Sequence, residues 1–247
     1  MLVIIGGSGL SQLAMLEVKR RVAVRTPYGE PSGVLTFGQI QGRDVCFLAR
    51  HGYGHTIPPH EVNYRANLWA LRDSGIRRVI SVASVGGIRA DLGPGVLAVP
   101  DQIVDYTWGR PSTFFEGGDQ PVTHIDFTEP YTASLRRALL DAARQCGESI
   151  VDGGTYASTQ GPRLETRAEI DRLERDGCHL VGMTGMPEAV LARELNLEYA
   201  TIAVVVNHAA GRGSSAGGIQ MTDIEAVLKE AMTRTRRVIE ARVVSVA

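Results

Sequence analysis

The sequence is short of the features that mark several large protein classes. It has three cysteines in 247 residues, Cys46, Cys146 and Cys178. They are odd in number, far apart and form no C-x-x-C, which argues against a disulfide framework and a thiolate zinc site and suits a reducing compartment. Neither sign of charge is in surplus: the formal net charge is −1, so there is no electrostatic case for nucleic acid or an anionic membrane as partner. No apolar run approaches the ~20 residues of a membrane span. The first residues lack a basic segment followed by a long apolar core, so no signal peptide is expected and the expected location is the cytoplasm. Familiar catalytic signatures are missing too. There is no G-x-S-x-G elbow, no H-E-x-x-H and no glycosidase-like carboxylate pair. The early Gly6-Gly7-Ser8-Gly9 has Gln12 where a dinucleotide fingerprint needs glycine, and no Gly-Lys-Ser/Thr follows it.

What is present is a regular alternation of short apolar runs with amphipathic stretches. Strands are predicted at Leu2 to Ile5, Val34 to Ile40, Asp44 to Ala49, Val79 to Val82, Gly154 to Ser158, Leu180 to Met183 and Ala200 to Val206. A further extended segment starts at Val96. Helices are predicted at Val62 to Ser74, Glu129 to Gln145, Arg167 to Arg175, Pro187 to Leu195 and Met221 to Arg242. Ala200 to Val206 is almost wholly apolar and rich in β-branched residues, as suits a strand buried on both faces. With no internal repeat or low-complexity linker, the pattern predicts one α/β/α layered domain over residues 1–247.

Ligands in open α/β sheets sit at the carboxyl ends of strands. Here those ends carry Ser8, Arg50-His51, Ser84, Met183-Thr184 and Asn207-His208. Arg50 offers a planar fork of donors for phosphate or carboxylate, and anion binding by Arg50 and His51 is the expectation. His51, His55 and His60 lie in a Gly/Pro-rich loop rather than on a helix face, so no metal is expected. Thr107 to Glu129 has little periodicity but holds Trp108, Phe114, Phe115, His124 and Phe127, the make-up of a lid or a subunit contact.

Six stretches, in order along the chain, carry a resemblance: I-I-G-G-S-G-L, T-P-Y-G-E-P-S, L-A-R-H-G-Y-G-H, V-N-Y-R-A-N-L-W-A-L, G-P-R-L-E-T-R-A-E and M-T-G-M-P-E-A-V-L-A. The chain resembles the trimeric nucleoside phosphorylases, in the branch holding methylthioadenosine phosphorylases and purine nucleoside phosphorylases. The resemblance implies a three-layer α/β/α fold around a mixed sheet and a homotrimer. It also implies phosphorolysis of an N-glycosidic bond, with inorganic phosphate as co-substrate and no metal or organic cofactor. Matched by position, Ser8, Arg50, His51, Ala83, Ser84 and Thr184 fall at phosphate-site positions, Ala83 without the family's threonine hydroxyl. Met183 falls where main chain holds the ribose hydroxyls. His124 matches a loop that a neighbouring subunit brings to the 5′ end of the sugar.

The same resemblance sharpens the base. Methylthioadenosine phosphorylases carry aspartates where this chain has Asn207 and Ala209, within the run Asn207-His208-Ala209. An asparagine amide can donate to a 6-oxo oxygen and accept from N7–H. Glu165, next to Leu164, falls where 6-oxopurine phosphorylases place a glutamate that accepts the N1 proton. Hypoxanthine-type bases are therefore expected over adenine, with Asn207 stabilising the departing purine. Ile219, Met221 and Ile224 are apolar near the start of the last helix, which favours a 5′-methylthio group over a 5′-hydroxyl. The most specific expectation is phosphorolysis of methylthioinosine; the alternatives are a general inosine/guanosine phosphorylase and a methylthioadenosine phosphorylase. Many methylthioadenosine enzymes have a longer C-terminal helix over the methylthio group than a chain ending at Ala247 offers. The glycine-rich tail, Ala209 to Gly218, is expected to cover the base and the 5′ group.

Overall fold

The computed structural model describes residues 1–118 and 121–245. Its first strand, β1 (Leu2–Gly6), is buried along its whole length. Successive side chains of a strand point to opposite faces, so Leu2 and Ile4 enter one core while Val3 and Ile5 enter another. Two cores on opposite faces need cover on both sides, and the helices supply it. Helices α2 (Ala133–Gln145) and α5 (Met221–Val244) pack on the first, α1 (Tyr64–Asp73) and α4 (Gly185–Glu194) on the second.

The other strands are β2 (Glu17–Val22), β3 (Leu35–Ile40), β4 (Arg43–Ala49), β5 (Arg78–Gly87), β6 (Leu97–Val99), β7 (Gln102–Asp105), β8 (Val151–Asp152), β9 (Thr155–Ser158), β10 (Leu180–Gly182) and β11 (Glu198–His208). They run in the order β2-β3-β4-β1-β5-β10-β9-β7, and β11 joins β5 to β6, which in turn pairs with β8. The sheet is mixed: β1 is parallel to β4 and β5, and β11 to β5, whereas β10 meets β5 antiparallel. Helix α3 (Arg167–Arg175) completes the set, opened by a capping box between Thr166 and Glu169.

One feature of the register makes room for a site. Strand β1 accompanies β5 only from Arg78 to Ser81, and β10 takes up that side again at Gly86. From Val82 to Val85 no strand lies on that side of β5 among the described residues. On the other side β11 stays paired throughout, but its register slips between Val205 and Asn207, which makes a bulge at Val206. Bulges bend a strand and re-aim side chains, and here the bulge brings Val206 and Asn207 to the same cavity.

Several predicted boundaries change. Ala83 to Gly87 reads as a small-residue stretch after a strand, yet it is strand because β11 pairs with it to the end. Strand β2 is unforeseen: its sequence E-V-K-R-R-V is charged and exposed, as befits an edge strand held only by β3. Helix α2 begins at Ala133 rather than Glu129, because Thr132 is tied to Tyr199 through its N–H and its hydroxyl. Strands β7 and β8 are also unforeseen. In the β3–β4 hairpin Gln41 and Gly42 both adopt positive φ, the conformation a two-residue turn of matching twist demands.

Candidate functional site

The gap beside β5 opens into a cavity of about 590 Å³. One corner of it is polar. Ser8, Arg50, His51, Ala83, Ser84 and Thr184 all line it, drawn from the ends of β1, β4 and β10 and from the middle of β5. Gly7 has no room for a side chain: a Cβ there would stand 2.6 Å from the Val82 carbonyl oxygen and 2.9 Å from Arg50 Nη1.

Arg50 is fully buried at the end of β4. Its Nε and Nη2 donate to the two carboxylate oxygens of Glu188 at 2.6 and 2.9 Å. Nη2 also donates to Ser81 Oγ at 2.6 Å, and Nη1 to the Val82 carbonyl at 3.0 Å, a backbone group that the gap leaves without a strand partner. Burial opposes the charge, but the adjoining Glu188 carboxylate more than offsets it and the guanidinium is held firmly cationic. Four of its five hydrogens are thus engaged, leaving one on Nη1 for the cavity. Glu188 was not anticipated; the available signal was a carboxylate amid the apolar residues of Pro187 to Leu195.

His51 was expected to bind an anion beside Arg50, and the structure makes it an acceptor rather than a donor. Its Nδ1 lies 2.8 Å from the Ile57 carbonyl, which can only accept, so Nδ1 carries the proton and Nε2 is a bare acceptor. Burial, reinforced by the Arg50 charge, pulls its pKa down to about 4, so the ring is neutral near pH 7. It can accept a hydrogen bond from the hydroxyl of a monoprotonated anion. His55 lies against it, its ring tilted by 49° with 4.5 Å between centroids, and its Nε2 stands 3.4 Å from Ser8 Oγ. The Ser84 hydroxyl makes an equally long contact of 3.4 Å to the Ser8 carbonyl. The Thr184 hydroxyl makes no helix-capping bond. This corner therefore offers one guanidinium hydrogen and three lightly held hydroxyls to an anion.

Glu165, Leu164, Met183, Asn207 and Ala209 also line the cavity. Asn207 Nδ2 donates to the His208 carbonyl at 2.6 Å, which fixes the amide's orientation. One Nδ2 hydrogen and Oδ1 remain, a donor beside an acceptor. Glu165 accepts from Thr159 Oγ1 at 2.7 Å. Burial raises its pKa, and the Thr159 hydrogen bond only partly counters this. Another part of the lining is apolar: Ile219 just before α5, Met221 and Ile224 at its start, and Leu228 one turn on. Met221 is largely exposed and forms the rim.

One expected site residue is elsewhere. His208 turns away from the cavity, because the side chains at the end of a strand alternate. Its Nδ1 lies 2.9 Å from Ser214 Oγ and accepts from the Ser214 N–H at 3.3 Å. His124 is exposed and does not line this cavity within one chain. The glycine-rich tail is also not the cover expected of it. Arg212 fastens it to Asp171 and Glu174 of α3, and the covering residues are Ile219 to Leu228. In the aromatic loop, Asp119 and Gln120 lie outside the described residues. Its first part belongs to this chain's own fold: Phe114 packs edge-on to Tyr28, and Thr113 and Phe114 bond Glu194.

Known proteins resemble this chain in sequence and in fold. A family profile described as the phosphorylase superfamily matches residues 1–243. The chain is 53% identical over 242 residues to a probable S-methyl-5′-thioinosine phosphorylase of Pseudomonas syringae pv. tomato, covering 98% of this chain and 97% of that one. It is 49% identical over 213 residues to a 6-oxopurine nucleoside phosphorylase of Pyrococcus furiosus, covering 84% and 79% respectively. A solved methylthioadenosine phosphorylase from Schistosoma mansoni, in complex with adenine, superposes with a TM-score of 0.93 at 32% identity, over 98% of this chain and 90% of that one.

Proposed function

The chain belongs to the phosphorylase superfamily, and from that premise we propose that it cleaves S-methyl-5′-thioinosine with inorganic phosphate, giving hypoxanthine and 5-methylthioribose 1-phosphate. The reaction class is that of a pentosyltransferase of the purine nucleoside phosphorylase type. The observation that carries the substrate reading is the pairing of Glu165 and Asn207 in one cavity. The amide, oriented by the His208 carbonyl, presents a donor to the 6-oxo oxygen and an acceptor to N7–H. The Glu165 carboxylate accepts the N1 proton, which adenine lacks. The apolar wall of Ile219, Ile224 and Leu228 suits a methylthio group better than a hydroxyl.

In the reaction a phosphate oxygen bonds to the anomeric carbon as the C–N bond breaks, and the bonding pair leaves with the purine. Phosphate in the polar corner is nucleophile and counter-charge to an oxocarbenium-like transition state. The purine gains a proton at N7 as it leaves, matched in the overall balance by the one that monohydrogen phosphate loses, and Asn207 Oδ1 accepts the hydrogen bond from that N7–H. Main chain at Met183 would hold the ribose hydroxyls. The reading includes a homotrimer, in which His124 comes from a neighbouring subunit to the 5′ end, and a cytoplasmic location. Both rest on the family resemblance.

Incubation of the protein with methylthioinosine, inosine and methylthioadenosine, each with and without phosphate, tests this. Phosphate-dependent cleavage of methylthioinosine ahead of the other two is the expected result. Cleavage indifferent to phosphate sinks the phosphorolysis, and preference for inosine or methylthioadenosine sinks the sugar or base assignment.

Glu165 adds a pH dependence. Its raised pKa means that the ionised form is disfavoured by burial and that it takes up a proton as pH falls. A protonated Glu165 can donate to the bare N1 of adenine and accept from its 6-amino group. The preference for methylthioinosine over methylthioadenosine is thus expected to be greatest at the alkaline side and to shrink on acidification. The ratio of the two kcat/KM values between about pH 5 and about pH 8 measures it; a ratio that rises toward acid contradicts the role given to Glu165.

A further inference from the structure

Arg110, in the aromatic loop, is buried with 8% exposure. Unlike Arg50, it has no carboxylate oxygen within 4.0 Å among the described residues. Its guanidinium is instead spread over neutral acceptors, most of them main-chain carbonyls. Nη1 donates to Met183 O at 2.8 Å and Met186 O at 2.6 Å, and lies 3.4 Å from the Tyr64 hydroxyl. Nη2 donates to Gln160 O at 2.8 Å and Thr159 O at 3.3 Å, and Nε to Gln160 Oε1 at 3.2 Å. One side chain therefore ties together two segments. The first, Thr159-Gln160, holds Glu165 through the Thr159 hydroxyl. The second, Met183 to Met186, carries two cavity residues, Met183 and Thr184.

A buried cation is costly unless something offsets it. Carbonyl dipoles do part of this for Arg110, but the formal charge stays. At Arg50 the formal charge is already offset by Glu188. The pair nets to zero, so Arg50 brings no net positive charge to the polar corner.

We propose that Arg110 is a positioning residue with two effects: it clamps the Met183–Met186 segment against the Thr159–Gln160 segment, and it places one net positive charge behind the segment that brings Thr184 to the polar corner. This rests on the reading of the polar corner as a phosphate site. Lysine keeps the charge but cannot span both segments, whereas glutamine loses the charge. The two substitutions therefore separate the two effects.

The test uses the full chain, with R110K and R110Q compared with wild type after circular dichroism and thermal melting confirm folding. Inorganic phosphate binding is measured by calorimetry without nucleoside, and kcat and KM are measured with methylthioinosine. R110K is expected to keep phosphate Kd within about threefold of wild type while kcat/KM for the nucleoside falls about tenfold or more. R110Q is expected to weaken phosphate about tenfold or more, where each tenfold is about 1.4 kcal/mol. A folded R110Q that binds phosphate like wild type overturns the charge. Full nucleoside kcat/KM in R110K overturns the clamp. If R110Q does not fold, R110K decides alone: equal losses in phosphate and nucleoside parameters mean a merely structural arginine and overturn the proposal. A wild-type protein that does not bind phosphate sinks the phosphorolysis reading itself, and this proposal with it.

Discussion

Replacing Asn207 with aspartate is expected to move the enzyme's base preference from 6-oxopurines toward adenine. In the wild-type chain the amide spends one Nδ2 hydrogen on the His208 carbonyl at 2.6 Å. In the proposed binding mode its second hydrogen and Oδ1 face the base. Aspartate has no hydrogen for either place. It turns a carboxylate oxygen toward the 6-oxo oxygen of hypoxanthine, where two acceptors repel, and toward the 6-amino group of adenine, where donor meets acceptor. Sites that hydrogen-bond a base edge discriminate by roughly 10⁴ or more, because a mismatch leaves buried groups unpaired. The ratio of kcat/KM for methylthioinosine over methylthioadenosine is expected to fall by roughly two to four orders of magnitude on that basis. The switch should stay incomplete while the Glu165 carboxylate faces the bare N1 of adenine, and adding Glu165→Ser should carry it further. Steady-state kinetics on both nucleosides measures this; an unchanged ratio would mean that Asn207 does not read the base.

Removal of Glu188 is expected to cause a large loss of stability. Glu188 is fully buried and accepts from Arg50 Nε and Nη2 and from the Tyr199 hydroxyl at 2.9 Å. Glu188→Ala leaves a fully buried guanidinium with no counter-charge. Breaking a buried pair from one side costs about 3–5 kcal/mol, and at this chain length each kcal/mol lowers Tm by about 2–4 °C. A fall of roughly 10 °C follows from those two figures. Arg50→Met combined with Glu188→Leu removes both charges, so it should recover much of the loss while abolishing phosphate binding. Thermal melting of the single and double variants checks both statements. A single variant that melts like the wild type would mean that Arg50 finds its stability elsewhere.

The contrast between those two residues shows how the site was legible. Asn207 ends a run of β-branched residues, and a polar side chain at that point announces itself in the sequence. Glu188 sits on a helix whose neighbours are apolar, and its partner Arg50 is 138 positions away. Arg110 was hidden in the same way, inside a loop with no periodicity, bonded to carbonyls that every residue type possesses. His208 was misplaced because it shares its motif with Asn207, and only the direction of its side chain separates them. Strand β2 was missed because its charged, exposed residues carry none of the alternation that a half-buried strand shows.

Local pattern was enough for the layered α/β class, for the helices and core strands, and for the polar residues at the strand ends. These rest on short-range effects: the alternation of a strand, the repeat of a helix, and the chemistry of a side chain at a strand's end. The tertiary structure decided which of those ends converge. The gap beside β5, the bulge at Val206, the offsetting of Arg50 by Glu188, the neutral state of His51 and the carbonyl cage around Arg110 depend on burial and on partners distant in sequence. Desolvation and pairing act through space, and so the electrostatics of the site appear only when the chain is folded.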